Sequence, residues 1–238
     1  MKESLSLLPS LPERYRALVF GATGALGGAF AEFLADDPRC ARVERLARGG
    51  EIPFDFGDES ALAAAAASLS ARGPFHLMIN AAGVLHTPAF LPEKRLADLN
   101  LEQMRDTFVV NCFGPALAFK HFAPLLAPDR AVFATLSAKV GSIGDNRLGG
   151  WYSYRASKAA LNMMVKTAAI ELKRTRPHAI LVALHPGTVN TRLSKPFRGE
   201  EIGRAPDAAA GDLLRVIDAL APDDSGSFIA YDGTRLPW

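Results

Sequence analysis

The sequence predicts an α/β fold: a doubly wound, mostly parallel sheet of about seven strands, with helices on both faces, in a single domain. Three observations lead there. Short apolar runs of strand length alternate with segments of helical spacing from end to end. The first apolar run stops at a glycine-rich turn that opens a helix. The residues least explained by plain packing, at 21–27, 80–83, 137–142 and 185–191, follow strands, where a parallel sheet collects its ligands.

Taken in order, residues 1–15 read as an irregular N-terminal arm. Its apolar stretch is interrupted by Pro9 and is too short for the core of a signal peptide. Residues 16–238 read as one domain, with no repeat and no linker composition. Residues 16–20 are a buried strand ending at Gly21, and 25–35 a helix that stops at Asp36, Asp37 and Pro38. Residues 43–47 are a second strand and 52–56 a third. The alanine-rich stretch 60–71 is a surface helix, because alanine is the best helix former. Residues 75–79 are a strand running into Asn80-Ala81-Ala82-Gly83. A long helix spans 101–122, a strand 131–136, a Gly/Ser/Asn loop 141–150 and a second long helix 153–174. The strand at 179–184 ends at His185-Pro186-Gly187. Residues 187–205 have no clear period and read as a mobile loop, before a helix at 212–220 and a last strand at 227–230.

Composition removes several classes of function. Of 238 residues, 49% are hydrophobic and 22% charged, so the chain is not disordered. Lys plus Arg is 27 against 25 for Asp plus Glu; the net charge of +2 argues against a strongly basic nucleic-acid binder. The 2 cysteines, Cys40 and Cys112, support neither a disulfide framework nor a cysteine-rich zinc site, and read as small buried residues in a reducing compartment. No apolar run reaches the roughly 18 residues needed to cross a bilayer. The expectation is a soluble, cytoplasmic protein with no membrane or nucleic-acid partner. The five histidines lack metal-ligand spacing, and G-x-S-x-G is missing, so neither a metal site nor a serine nucleophile is expected. Met163 and Met164 read as packing.

Two local patterns carry chemistry. Gly21, Thr23, Gly24, Ala25, Leu26 and Gly27 lie in a G-x-x-G-x-x-G turn between the first strand and the first helix. Such glycines permit a tight turn and close approach to a pyrophosphate, which the helix N-terminus then faces with free N–H groups. No Lys-Ser/Thr follows, so this is not an ATPase phosphate loop. An acid at the end of the second strand would grip a ribose 2′-hydroxyl; Glu44 comes too early, and Arg48 is placed to pair with a 2′-phosphate. NADP(H) is therefore preferred over NAD(H), with Asp55 set to face the adenine. Further along, Tyr154 and Lys158 stand four apart on one helix face. An ammonium beside a phenol favours the phenolate, and a phenol so tuned can pass a proton to a carbonyl oxygen.

The glycine turn, Asn80-Ala81-Ala82-Gly83, Val110-Asn111, the Tyr-x-x-x-Lys and His185-Pro186-Gly187-Thr188-Val189-Asn190-Thr191 occur in one order. That ordered set resembles the short-chain dehydrogenase/reductase family across nearly the whole chain after the arm. Val140-Gly141-Ser142-Ile143, the stretch 152–162 and the ending Tyr231-Asp232-Gly233 with Leu236-Pro237-Trp238 look like its C-factor and sniffer-type carbonyl reductase branch. The resemblance implies a Rossmann-type sheet, residues 16–238 as one NAD(P)-binding catalytic domain, and hydride exchange between NADP(H) and a small-molecule carbonyl or alcohol. It implies Tyr154 as acid/base, Lys158 on the nicotinamide ribose, and Asn111 holding a water that links Lys158 to solvent. Asn80, Ala81, Ala82 and Gly83 then line the adenosine ribose side; Pro186, Gly187 and backbone atoms of Val189 border the nicotinamide, and Thr191 lies near the phosphates. A homodimer or homotetramer follows from the same resemblance.

One position departs from the family pattern. The serine that holds the substrate oxygen is replaced by Ala138, three residues before Gly141. Strand alternation turns the adjacent Ser137 to the other face, which leaves Ser142 as the expected substitute donor. The same gap supports an alternative: an NAD(P)-binding signalling or regulatory protein of C-factor type with weak or no turnover.

Overall fold

The structure, a computed structural model, describes residues 6–238. The first apolar run forms strand β1 (Tyr15–Phe20), and the chain turns at Gly21 into helix α1 (Ala25–Asp36). Strand β2 (Cys40–Leu46) and helix α2 (Glu59–Leu69) follow, then β3 (Leu77–Asn80). The long helix is α3 (Leu101–Phe108), a π-turn (Val109–Phe113) and α4 (Gly114–Phe122). Then come β4 (Ala131–Leu136), α5 (Tyr152–Thr175) and β5 (Ala179–His185). The one-turn α6 (Gly199–Ile202), α7 (Pro206–Ala219) and the short β6 (Phe228–Ala230) complete the chain. Where the sequence offers no period over 187–205, the chain folds as a 3-10 turn (Lys195–Phe197) followed by α6.

The described strands form one parallel sheet in the order β2-β1-β3-β4-β5-β6. It has six strands where about seven are expected, because residues 52–56 do not pair. Ile52, Phe54 and Phe56 are buried in alternation, but the alternation comes from lying on the sheet's face. Phe54 and Phe56 pack on Phe20 with ring centroids 5.8 and 6.4 Å away. Pro53 has no N–H to offer a ladder. Asp55, expected at a strand end, instead sits in a turn where its carboxylate accepts from the Gly57 N–H at 2.8 Å.

Period-two alternation along the strands feeds two cores, as a sheet buried on both faces requires. Leu18, Phe20, Phe133, Leu181 and Phe228 face α2, α4 and α5. Ala17, Val19, Val132, Ile180 and Val182 face α1 and α7. The end of the expected arm joins this second core: Leu8 and Leu11 are buried, the carbonyls of both accept from Arg39, and Tyr15 already belongs to β1. Cys112 is buried as expected, while Cys40 is half-buried. Met163 and Met164, read from the sequence as packing, are exposed on the outer side of α5. Among the described residues, no helix is long and apolar enough to cross a membrane.

The strand order reverses direction between β1 and β3: β2 lies on one side of β1, and all later strands on the other. At such a point the loops leaving the two central strands diverge and open a crevice at the sheet's carboxyl edge. The glycine turn and Asn80-Ala81-Ala82-Gly83 leave those two strands.

Candidate active site

The glycine turn is built for close approach. Gly21 has φ +76°, and a Cβ on it would lie 2.9 Å from the Ala82 N; a Cβ on Gly27 would fall 2.2 Å from the Gly21 O. The turn is pinned to its neighbours, with Gly21 N and Ala22 N donating to the Leu46 O and Ala81 N donating to the Phe20 O. Gly24 is the N-cap of α1, with no side-chain capping bond and no acidic residue in the first turn. The helix thus begins with unsatisfied donors and its positive dipole end beside exposed Thr23, Gly24 and Ala25. That cradle fits the pyrophosphate of a dinucleotide. Arg48 lies just past β2, exposed and in no ion pair among the described residues, beside the Leu46 that anchors the turn. Glu44 is two residues before the end of β2, buried, and paired with Arg42 and with Arg72 at 3.0 Å. Across the crevice, Asn80 donates to the Thr135 Oγ1 at 3.1 Å and accepts from the Ala82 N.

The structure brings Tyr154, Lys158, Asn111 and Gly83 together. Lys158 Nζ stands 5.9 Å from the Tyr154 ring centroid and donates to the Leu136 O at 2.9 Å, at the end of β4. A Cβ on Gly83 would lie 3.5 Å from Asn111 Oδ1 and 3.7 Å from Lys158 Nζ. Asn111 accepts from the Val84 N and donates to the Val84 O, both at 2.8 Å, and donates to Ser157 Oγ at 3.2 Å. The π-turn around Asn111 has a cause visible in the chain. Pro115 has no N–H for the carbonyl four residues back, which is that of Asn111, and Gly114 N reaches five residues back to the Val109 O.

Electrostatics differ from the sequence expectation. Lys158 is expected to pull the phenol down, but burial of Tyr154 dominates and holds it above the ordinary range. Burial also pushes the Lys158 ammonium down, to about 8, against the opposing pull of the neighbouring Cys112. His185, which accepts from the Lys139 N, is driven down to about 4, by burial first and then by Lys139.

The Ser142 hydroxyl, expected to be free for the substrate oxygen, is already bonded. It donates to the Trp238 O at 3.2 Å and accepts from the Asp145 N at 3.2 Å, so its hydrogen is committed to the C-terminal segment. Ser137 does not turn away from α5; it donates to Asn162 Oδ1 at 2.7 Å, one helical turn beyond Lys158. Gly187 packs on the Tyr231 ring, which carries the Arg204 guanidinium 4.3 Å from its centroid. The Val189 carbonyl accepts from Ser194 Oγ at 2.5 Å, and the Thr191 N donates to the same hydroxyl.

The chain is similar to known proteins along most of its length. The family model described as enoyl-(acyl carrier protein) reductase matches residues 27–229. The chain is 35% identical over 188 residues to 1-hydroxy-2-glutathionyl-2-methyl-3-butene dehydrogenase of Rhodococcus sp. (strain AD45), covering 79% of this chain and 80% of that one. The chain belongs to the short-chain dehydrogenase/reductase family. Within the family it is also 39% identical over 169 residues to the C-signal of Myxococcus xanthus, covering 70% of this chain and 94% of the relative. The NADPH-bound carbonyl reductase from chicken fatty liver superposes with a TM-score of 0.81 at 26% identity, covering 96% of this chain and all of that one.

Two features of this family member escape sequence reasoning. Aromatic rings from three distant segments meet beside Tyr154. The Trp151 ring is 6.2 Å from that of Tyr154 and 4.9 Å from that of Phe197, and His86 is 6.0 Å from Phe197. Glu93 is buried and bonded to Ser153, next to Tyr154. An acid in an irregular loop carries no periodic signal, and the rings are far apart in the chain.

Proposed function

We propose that this chain reduces a small-molecule carbonyl, or oxidises the corresponding alcohol, with NADP(H) as hydride carrier. When bound, the dinucleotide supplies or accepts the hydride. The observation that carries the reading is the closed group Tyr154–Lys158–Asn111 at the sheet's carboxyl edge, beside a glycine cradle fitted to a pyrophosphate. The NADPH in the chicken liver relative supports the choice of carrier, and Arg48, exposed and in no ion pair among the described residues, supports the 2′-phosphate form.

In the reducing direction Tyr154 gives its proton to the carbonyl oxygen. Burial, which keeps the phenol protonated, suits it to begin as the acid. The ammonium of Lys158 stabilises the phenolate left behind, and Asn111, bridging Val84 and α5, fixes the far side of Lys158's surroundings. Gly21, Gly24 and Gly27 with the start of α1 hold the pyrophosphate; Arg48, Asp55, Asn80, Ala81 and Ala82 border the adenosine half; Pro186, Gly187 and Val189 border the nicotinamide half, with Thr191 near the phosphates. The substrate lies against Trp151, Phe197 and His86.

The test is a panel of aldehydes, ketones and quinones with NADPH and NADH. Tyr154→Phe keeps the ring and deletes the proton. Turnover on the best substrate is expected to fall about 10²–10⁴-fold while NADPH affinity stays within a few-fold. Near-normal turnover in Tyr154→Phe overturns the mechanism. A second reading rests on Ala138 and the similarity to C-signal: a dinucleotide-binding signalling or regulatory protein. Tight NADPH binding with no turnover across the panel favours it.

A further inference from the structure

The helix that carries Tyr154 does not cap itself. The N-cap of α5 is Trp151, held at φ 53° and ψ 43°, with no side-chain capping bond and no acidic residue in the first turn. A helix N-terminus buried in this way leaves amide hydrogens without partners and exposes the positive end of the dipole. The partners come from sixty residues away. Glu93, in the connection between β3 and α3, is 2% exposed. One carboxylate oxygen accepts from the Ser153 N at 3.1 Å and the other from the Ser153 hydroxyl. The Glu93 backbone carbonyl accepts from the Trp151 N at 2.5 Å. No Lys, Arg or His pairs with Glu93 among the described residues. A buried carboxylate without a cation is stabilised by what it caps.

The same segment is anchored at its other side. Gln103, on α3, donates to the Leu91 O at 3.0 Å, and Asp98 accepts from the Lys94 and Arg95 N–H groups. Residues 91–95 thus form a brace between α3 and the first turn of α5. Tyr154 follows Ser153 directly, and the Trp151 ring stands edge-on to the Tyr154 ring.

We propose that Glu93 is a positioning residue for Tyr154: it holds the first turn of α5 and so fixes where the phenol stands relative to Lys158. This rests on the carbonyl-reductase reading only for its kinetic consequence. Small misplacements of a proton donor are costly in rate, while the dinucleotide's own site is untouched.

The test compares Glu93→Ala and Glu93→Gln with the wild type. Amide exchange at residues 152–154 is expected to speed up roughly five- to tenfold in Glu93→Ala, the size of a lost helix cap, with protection around Leu161 and Val165 unchanged. The kcat should fall about tenfold or more, and NADPH affinity should stay within about threefold. Glu93→Gln, which can still accept from the Ser153 N and is the better-folded control, should fall between. In Tyr154→Phe, adding Glu93→Ala should lower kcat no further, since the residue acts through the phenol. Wild-type exchange at 152–154, or a kcat loss that persists in full on the Tyr154→Phe background, overturns the proposal. A wild type that reduces no carbonyl overturns the proposed function, and exchange then decides for or against Glu93 by itself.

Discussion

Arg48 is the residue on which the proposed preference for NADP(H) rests. It is exposed beyond the end of β2, and the acid nearest in sequence, Glu44, is turned into a buried pair with Arg72. No acid directly follows the end of β2 to accept from a ribose 2′-hydroxyl, and the Arg48 guanidinium is exposed there. NADPH is expected to bind more tightly than NADH. Arg48→Asp should reverse the order, with NADPH affinity falling about tenfold or more as a charge-assisted contact becomes a repulsion; equal affinities unchanged by the substitution refute it. The missing serine is the second residue to test. Because Ser142 joins Trp238 to Asp145, Ser142→Ala should cost about 1 kcal/mol of stability and leave turnover within a few-fold. Ala138→Ser places a hydroxyl at the end of β4, where a recovered donor should raise turnover, toward the 10²–10³-fold that one such donor is worth (~2.7–4 kcal/mol). Melting curves beside kcat separate the two effects.

Helix α5 stacks Tyr154, Lys158 and Asn162 on one face, each a turn from the next, and buries all of them. The cost falls on Lys158. Its folded pKa is about 8, against about 10.4 for an exposed lysine. The folded state therefore binds fewer protons than the unfolded chain between these values, and the penalty for burying the ammonium is full below about pH 8. As pH rises through 8 that penalty is relieved, so this group's contribution makes stability rise with pH. Cys112, pushed up by burial to about 11, acts in the opposite sense above its ordinary value of 9.0. Lys158→Met isolates the lysine: the melting-temperature gap between variant and wild type, measured without dinucleotide, should change in favour of the wild type from pH 7 to 9. A gap independent of pH would show that the ammonium is not held down.

The outer layer of the molecule carries apolar side chains that its own core does not use. Met163 and Ile170, seven residues apart on α5, are 65% and 53% exposed, and Phe113 is exposed at the π-turn of the neighbouring helix. Residues seven apart share a helix face, and contiguous exposed apolar surface is where proteins commonly meet a partner. The chain is expected to run as a homodimer or homotetramer in light scattering. Met163→Glu with Ile170→Glu should shift it toward monomer and leave the fold, read by circular dichroism, intact. A wild-type monomer at micromolar concentration refutes this.

Much of this architecture was legible in the chain. Burial on both sheet faces produces short apolar runs, so β1, β3, β4 and β5 are apparent. The glycine turn and the Tyr154–Lys158 spacing are local and need no partner to be recognised. What escaped were the pairings. Residues 52–56 alternate like a strand because one side is buried, and alternation records burial, not hydrogen-bond partners. Ser142 is in sequence reach of the site, yet its hydrogen goes to Trp238, ninety-six residues away. Glu93, Trp151, Phe197 and His86 come together only when three loops converge. Local periodicity is set by which face meets the core; the partners of a loop side chain are set by distant segments that reach it only in the folded chain.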